Sequence, residues 1–149
     1  ALQHEVALGD LIVVEGAVRS EGASLAYLPP EYPACADIRL QAALLAHLGT
    51  CEHPHWHGLV RSHDSFYRDD EQEICRYWHA RGVLGADMET ASLLAVGRLR
   101  KVRVAAVLCN VVAFEQDVQA GVSDYAASEA AMMTGERLAI AAALHALTQ

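Results

Sequence analysis

No stretch of the 149 residues approaches the roughly 20 consecutive apolar residues that cross a bilayer, so no membrane partner is expected. The opening residues, ALQHEVALGD, have neither a basic start nor a long apolar run, and no secretory signal is read there. Basic residues are scarce: 11 Lys+Arg stand against 19 Asp+Glu, a net charge of -8. Binding a nucleic-acid backbone needs a basic surface, so that class of partner is excluded. Cysteines number four (Cys35, Cys51, Cys75 and Cys109), with no C-x-x-C pair and no compact framework of the kind that staples small secreted domains. Reduced thiols in a soluble, cytoplasmic protein are expected, with Cys109 buried and inert behind an apolar run. Also missing are a G-x-G-x-x-G turn, a Walker A loop, an HExxH helix and a G-x-S-x-G elbow.

What is present builds a folded domain. Hydrophobic residues make up 53% and charged residues 20%, which excludes a disordered chain, and 16.1 kDa is the size of one domain over residues 1–149. Leu11-Ile12-Val13-Val14, bounded by Gly9-Asp10 and Gly16, reads as a buried strand. From Arg19 to Pro33 the prolines and Gly22 predict a long loop. Asp37 caps a predicted helix carrying Ile38, Leu40, Leu44, Leu45 and Leu48 and ending near Gly49. A second strand is expected around His57–Val60, then a polar turn through Tyr67, then a helix from Asp69–Glu71 to about His79, stopping before Gly82. Val83–Met88 reads as a short strand leading directly into a helix from Glu89 to about Arg98. Val102–Leu108 is the clearest buried strand, and Ser123 or Asp124 opens a last helix to Leu147. Strands alternate with helices, and the apolar last strand belongs to a sheet covered on both faces, which makes this an α/β domain.

Ligands of such sheets sit beyond the carboxyl ends of the strands. That selects the turn after Val60, the Met88-Glu89 junction and the turn starting at Asn110. Glu89 heads a helix at this edge, where its carboxylate either complements the helix dipole or accepts two hydroxyl hydrogens from a vicinal diol such as ribose. Phe66 and Tyr67 either stack on a planar base or close a core. Cys51, His53, His55 and His57 alternate as zinc ligands would on one strand face, but residues in line suit a tetrahedral ion poorly, and Pro54 argues for an edge or loop. No metal is expected. Arg19, Arg61 and Arg68 lie nearest the loops without forming a phosphate cradle, and such arginines are usually solvated.

Several segments together resemble the uridine phosphorylase branch of the nucleoside phosphorylases. They are Gly9–Arg19 with Glu21-Gly22-Ala23-Ser24, Leu28–Pro33, His63-Asp64-Ser65-Phe66-Tyr67, and Gly85-Ala86-Asp87-Met88-Glu89-Thr90-Ala91. They occur in family order over almost the whole chain. The resemblance implies a central mixed, largely parallel sheet flanked by helices. It also implies phosphorolysis of a nucleoside to free base and ribose 1-phosphate, with phosphate as co-substrate and no cofactor. Carried over residue by residue, Met88 packs on the ribose, Glu89 binds its hydroxyls as the catalytic carboxylate, and Phe66 stacks on the base. Self-association is expected, since family members are oligomers.

The departures from the family pattern are specific. Ala1-Leu2-Gln3 matches the tail of the family's Thr-Cys-Gly-Ala phosphate and base loop, so the segment bearing the phosphate-binding arginines is expected to be missing from an N-terminally truncated domain. The Gln and Arg with which uridine phosphorylases read the pyrimidine are matched by Asp70 and Gln72, and the Asp of purine-specific relatives by Asn110. Asn110 can hydrogen-bond a base but cannot act as a general acid. This reading leans to purine over uridine. The alternatives are a degenerate domain that binds nucleosides without turnover, and a hydrolytic nucleosidase.

Overall fold

A computed structural model describes residues 1–65, 67–115 and 129–149. The apolar run at Leu11 opens a strand far longer than itself: β1 spans Leu11–Ser20. It pairs in parallel with β3 (His55–His63), from Leu11↔His55 to Ser20↔His63, with a register shift between Val14 and Gly16. Gly16, which looks like a strand boundary in the sequence, instead sits at this bulge. There β2 (Ala34–Cys35) approaches antiparallel, and a Cβ on Gly16 would stand 3.0 Å from the Ala34 carbonyl oxygen. The bulge therefore carries the strand past the expected loop start at Arg19.

β4 (Gly85–Asp87) pairs in parallel with Val60–Ser62 of β3, and β5 (Val107–Cys109) pairs antiparallel with Leu11–Val13 of β1. The strand order is β2-β1-β3-β4, with β5 on β1 as well. The sheet is mixed, with its long central pairing parallel. Its helices are α1 (Gly22–Leu25), α2 (Ile38–Leu48), α3 (Glu71–His79), α4 (Thr90–Leu99) and α5 (Glu129–Leu147).

Alternation along β1 feeds two cores. Leu11 and Val13 pack with Leu44 and Leu48 of α2 and Ala142 and Ala146 of α5. Ile12 and Val14 pack, together with Val60, against Ala91, Leu94 and Ala95 of α4. Burying each of the larger aliphatic side chains contributes roughly 1.5–3 kcal/mol, which fixes the helices on both faces. The predicted cap is present: Asp37 Oδ1 accepts from the Arg39 and Leu40 amides at 3.1 Å. α3 ends ahead of Gly82, whose φ of 72° is the left-handed region that glycine tolerates. The Asp70 carboxylate takes Arg68 at 2.8 and 2.9 Å and leaves α3 without a side-chain cap bond.

Three expectations are corrected. The stretch 19–33 is not one loop, since β1 runs to Ser20 and α1 follows. Arg19 is not a solvated group: its guanidinium donates to Ser24 Oγ and to the carbonyls of Leu28, Pro29 and Tyr32, tying the proline-rich loop to the sheet. Val102–Leu108 is not a fully buried strand. Val102 is 59% exposed and the regular ladder begins only at Val107, although the Val104 and Ala106 carbonyls accept from Asp37 and Val14. The segment runs along one side of β1, where β2 and β5 each hold only part of the edge. The expected opening of the last helix at Ser123 or Asp124 lies outside the described residues.

Candidate functional site

The parallel strands β1, β3 and β4 end together at Ser20, His63 and Asp87, and their carboxyl ends carry a polar cluster. Beyond β1, Glu21 is buried and accepts from the Ser24 amide at 2.8 Å and from the Ser24 hydroxyl. Desolvation raises its carboxyl, but the hydrogen bonds it accepts, those from Ser24 first, outweigh this and hold it below the ordinary glutamate value. Asp64, just past β3, accepts from the Gly22 amide at 2.8 Å and joins the β1 and β3 ends.

The start of α4 bears on the two readings of Glu89. A helix leaves its first amides without intrahelical partners. Here Asp87 Oδ2 accepts from the Thr90 amide at 2.9 Å, and Ser62 Oγ accepts from the Ala91 amide at 2.8 Å. Ser62 also donates to Asp87 Oδ1 at 2.5 Å, which locks β3 to β4 at the helix entrance. Asp87 and Ser62 therefore take the first free amides of α4, so none of these bonds falls to Glu89. Glu89 makes no side-chain cap bond; among the described residues its carboxylate takes one hydrogen bond, from the Met88 amide at 3.2 Å. Met88 beside it is 36% exposed. Asp87, Glu89, Thr90 and Arg103 supply the polar lining of a groove of about 510 Å³, whose apolar walls include Leu44, Leu93, Val107 and Ala146. Sequence reasoning missed Ser62 and Asp87. The available signal was an Asp three residues before Thr90, the spacing of a side-chain cap.

Asn110 is placed differently from the expectation. β5 runs antiparallel to β1, so the turn after Cys109 meets the start of β1: the Asn110 amide donates to the Asp10 carbonyl at 2.8 Å. The Asn110 side chain is 7% exposed. Its Nδ2 donates to the Ala7 carbonyl at 3.0 Å and its Oδ1 accepts from the Ala1 nitrogen at 2.7 Å. Leu2 in turn donates to the Leu84 carbonyl at 2.8 Å, so the first two residues link the Asn110 turn to the lead-in of β4. Met88 and Glu89 are brought together, while Asn110 joins them only through this segment. Phe66 lies outside the described residues.

Arg61, on β3, is 7% exposed, far from the solvated group its sequence position suggests. Burial pulls its guanidinium below the ordinary arginine value, opposed by the nearby charge of Glu71. Burial, with Glu71 beside it, pushes the Cys75 thiol up to about 11, so it stays protonated at neutral pH. The four cysteines are free thiols, and Cys109, half-buried, is likewise raised by burial. The alternating Cys/His segment is not one strand, because β3 begins only at His55. His53 Nε2 bonds the Gly9 carbonyl at 2.8 Å and His55 Nδ1 the His53 carbonyl at 3.0 Å. Among the described residues no helix is long and apolar enough to cross a membrane.

Comparison with known proteins agrees with this architecture. Residues 1–147 match the model of a family described as the Phosphorylase superfamily. Uridine phosphorylase of Klebsiella aerogenes is 35% identical over 129 residues, covering 74% of this chain and 50% of that protein. Uridine phosphorylase of Treponema pallidum is 33% identical over 117 residues, 72% of this chain and 45% of that protein. Guanosine phosphorylase of Halorubrum lacusprofundi is 31% identical over 111 residues, 74% and 45% respectively. The crystal structure of uridine phosphorylase from Vibrio fischeri ES114 superposes with a TM-score of 0.91 at 47% identity, covering 99% of this chain and 59% of that one. The chain thus spans about half the length of the relatives it matches by sequence.

Proposed function

This chain belongs to the phosphorylase superfamily, and we propose that it acts on a nucleoside, cleaving the N-glycosidic bond with phosphate to give free base and ribose 1-phosphate. One observation carries the reading. Met88 and Glu89 stand at the carboxyl end of β4 with the helix cap supplied by Asp87 and Ser62, which leaves the Glu89 carboxylate available to a ligand.

A carboxylate at that position accepts hydrogen bonds from the two ribose hydroxyls, and the Met88 thioether packs on the apolar face of the sugar. The C1′–N bond breaks with its electron pair going to the base, and C1′ passes through an oxocarbenium-like state. A phosphate oxygen then bonds C1′, and the proton that the hydrogen phosphate gives up goes to the departing base. The negative charge of Glu89, fixed beside the sugar, stabilises that cationic state without reorganisation. Phe66 stacks on the base in this reading, and self-association completes the site. The departures at Asp70 and Gln72 weigh toward a purine, and relatives named uridine phosphorylase keep uridine beside it as a substrate.

The test is product analysis of the purified chain with inosine, guanosine and uridine, with and without phosphate. Phosphate-dependent appearance of base and ribose 1-phosphate is expected. Release at the same rate without phosphate, yielding free ribose, would replace phosphorolysis with hydrolysis. Release from none of them would reduce the chain to a binder.

A further inference from the structure

Basic residues are scarce in this chain, and they are not spread evenly. Four of the 11 Lys+Arg, namely Arg98, Arg100, Lys101 and Arg103, fall within residues 98–103, at the end of α4 and just beyond it. Arg98, Lys101 and Arg103 line one open pocket of about 210 Å³, together with Cys35 and Asp37. Among the described residues none of the four basic side chains enters an ion pair. Asp37, the carboxylate on the pocket wall, already accepts from the Arg39 and Leu40 amides through Oδ1 at 3.1 Å. The pocket thus gathers an excess of positive charge on a chain whose net charge is -8.

Helix-end electrostatics explain only part of this cluster. A cation in the last turn complements the helix dipole, and Arg98 stands there. Lys101 and Arg103 lie past the helix. The end of α4 is closed by its own backbone: the Arg100, Lys101 and Val102 amides donate to the Val96, Arg98 and Gly97 carbonyls at 2.9, 3.0 and 2.9 Å. Those carbonyls need no side-chain donor. The closing residue, Lys101, has a φ of 59°, in the left-handed region where helix ends ordinarily place glycine. It is also the single lysine of the chain. Backbone geometry there favours glycine, so the lysine is explained by its charge rather than by the turn. Like charges gathered in one pocket repel one another until an anion joins them.

We propose that this pocket binds a diphosphate group, Arg98 and Arg103 offering guanidinium forks and Lys101 a point charge. At about 30 Å³ for each water of liquid, the pocket has room for roughly seven waters, enough for two linked phosphates but not for a whole nucleotide. A diphosphate carries more charge than a sulfate and engages all three cations at once. An extended nucleic-acid backbone is not matched, because the cluster is confined to one pocket of an acidic chain. The group comes either as free diphosphate or on a nucleoside diphosphate whose nucleoside lies outside the opening. Arg103 also lines the groove that holds Glu89, so pocket and groove are neighbours sharing one side chain. The site stands independently of the nucleoside reading above.

The experiment is calorimetric titration of the chain with pyrophosphate, UDP and sulfate, repeated with Arg98→Gln and Lys101→Gly. In parallel, ¹³C-labelled lysine gives the unaltered chain one lysine side chain to follow by NMR. Pyrophosphate should bind saturably and roughly tenfold or more tighter than sulfate, with the Lys101 signal moving along the same isotherm. Each substitution should weaken it about tenfold, the scale of a hydrogen bond between charged groups. Lys101→Gly should at the same time raise the urea midpoint, because glycine relieves the left-handed backbone. General damage to the fold would lower it instead, so the opposite movements separate a binding role from a structural one. UDP binding no tighter than pyrophosphate identifies the free diphosphate as the ligand. Tighter UDP binding that Lys101→Gly also weakens identifies a nucleoside diphosphate. No saturable binding of either, equal binding of pyrophosphate and sulfate, a Lys101 signal unmoved at saturation, or undiminished pyrophosphate affinity in both variants overturns the proposal.

Discussion

Replacing Glu89 by glutamine is expected to weaken nucleoside binding by roughly 10- to 100-fold while leaving the urea midpoint unchanged. The size follows from removing hydrogen bonds to a charged acceptor, each worth about 1.5–3 kcal/mol, where tenfold in affinity is about 1.4 kcal/mol. The unchanged stability follows from the geometry at the head of α4, where Asp87 and Ser62 already take the Thr90 and Ala91 amides. Glu31→Gln, on an exposed loop residue, provides the control of equal charge change. Calorimetric titration and urea unfolding of the three proteins decide the matter. A lowered midpoint with unaltered affinity for Glu89→Gln would make this residue a helix-end charge and nothing more.

The second large effect concerns the packing that carries the Asn110 turn. A glycine within a helix normally gains about 0.5–1 kcal/mol on replacement by alanine. Gly135 lies inside α5, but a Cβ there would stand 2.3 Å from the Gly9 carbonyl oxygen and 2.7 Å from Cys109 Sγ. The carbonyl has little freedom to retreat, because His53 Nε2 is bonded to it at 2.8 Å and the Gly9 amide donates to the Asn110 carbonyl at 2.8 Å. Gly135→Ala should therefore destabilise the fold by about 2–3 kcal/mol, the scale of overpacking, and reverse the sign helix propensity alone would give. Urea unfolding measures it. A raised or unchanged midpoint would show that α5 does not press on the Gly9 turn.

Much of the scaffold was legible because its signals are local. The β-branched run at Leu11, the Asp37 cap and the glycine after α3 each act within a turn of chain, and each stands where the sequence places it. The Met88-Glu89 junction was legible for the same reason, as a short strand passing directly into a helix. What could not be read depends on partners distant in sequence. Gly16 looks like a strand end until β2 is seen crossing it. The Val102–Leu108 run looks buried until its place beside β1 leaves Val102 exposed. Asn110 seems to belong to the ligand edge only if β5 runs with the other strands, and its antiparallel pairing with β1 sends the turn the other way. Arg61 and Arg19 look like surface charges, since neither the burial of one nor the carbonyls gathered by the other leave any pattern in the sequence.

The most direct measurement is a nucleoside titration of the chain carrying ¹³C-labelled methionine methyls, followed by NMR. Met88 is partly exposed at the end of β4, whereas Met133, with the same 36% exposure, lies on α5. If the carboxyl edge of β3 and β4 holds the sugar, the Met88 methyl shifts and saturates with the binding isotherm while the Met133 methyl stays in place. A nucleoside that binds with the Met88 signal unmoved would contradict the assignment of this edge as the sugar site.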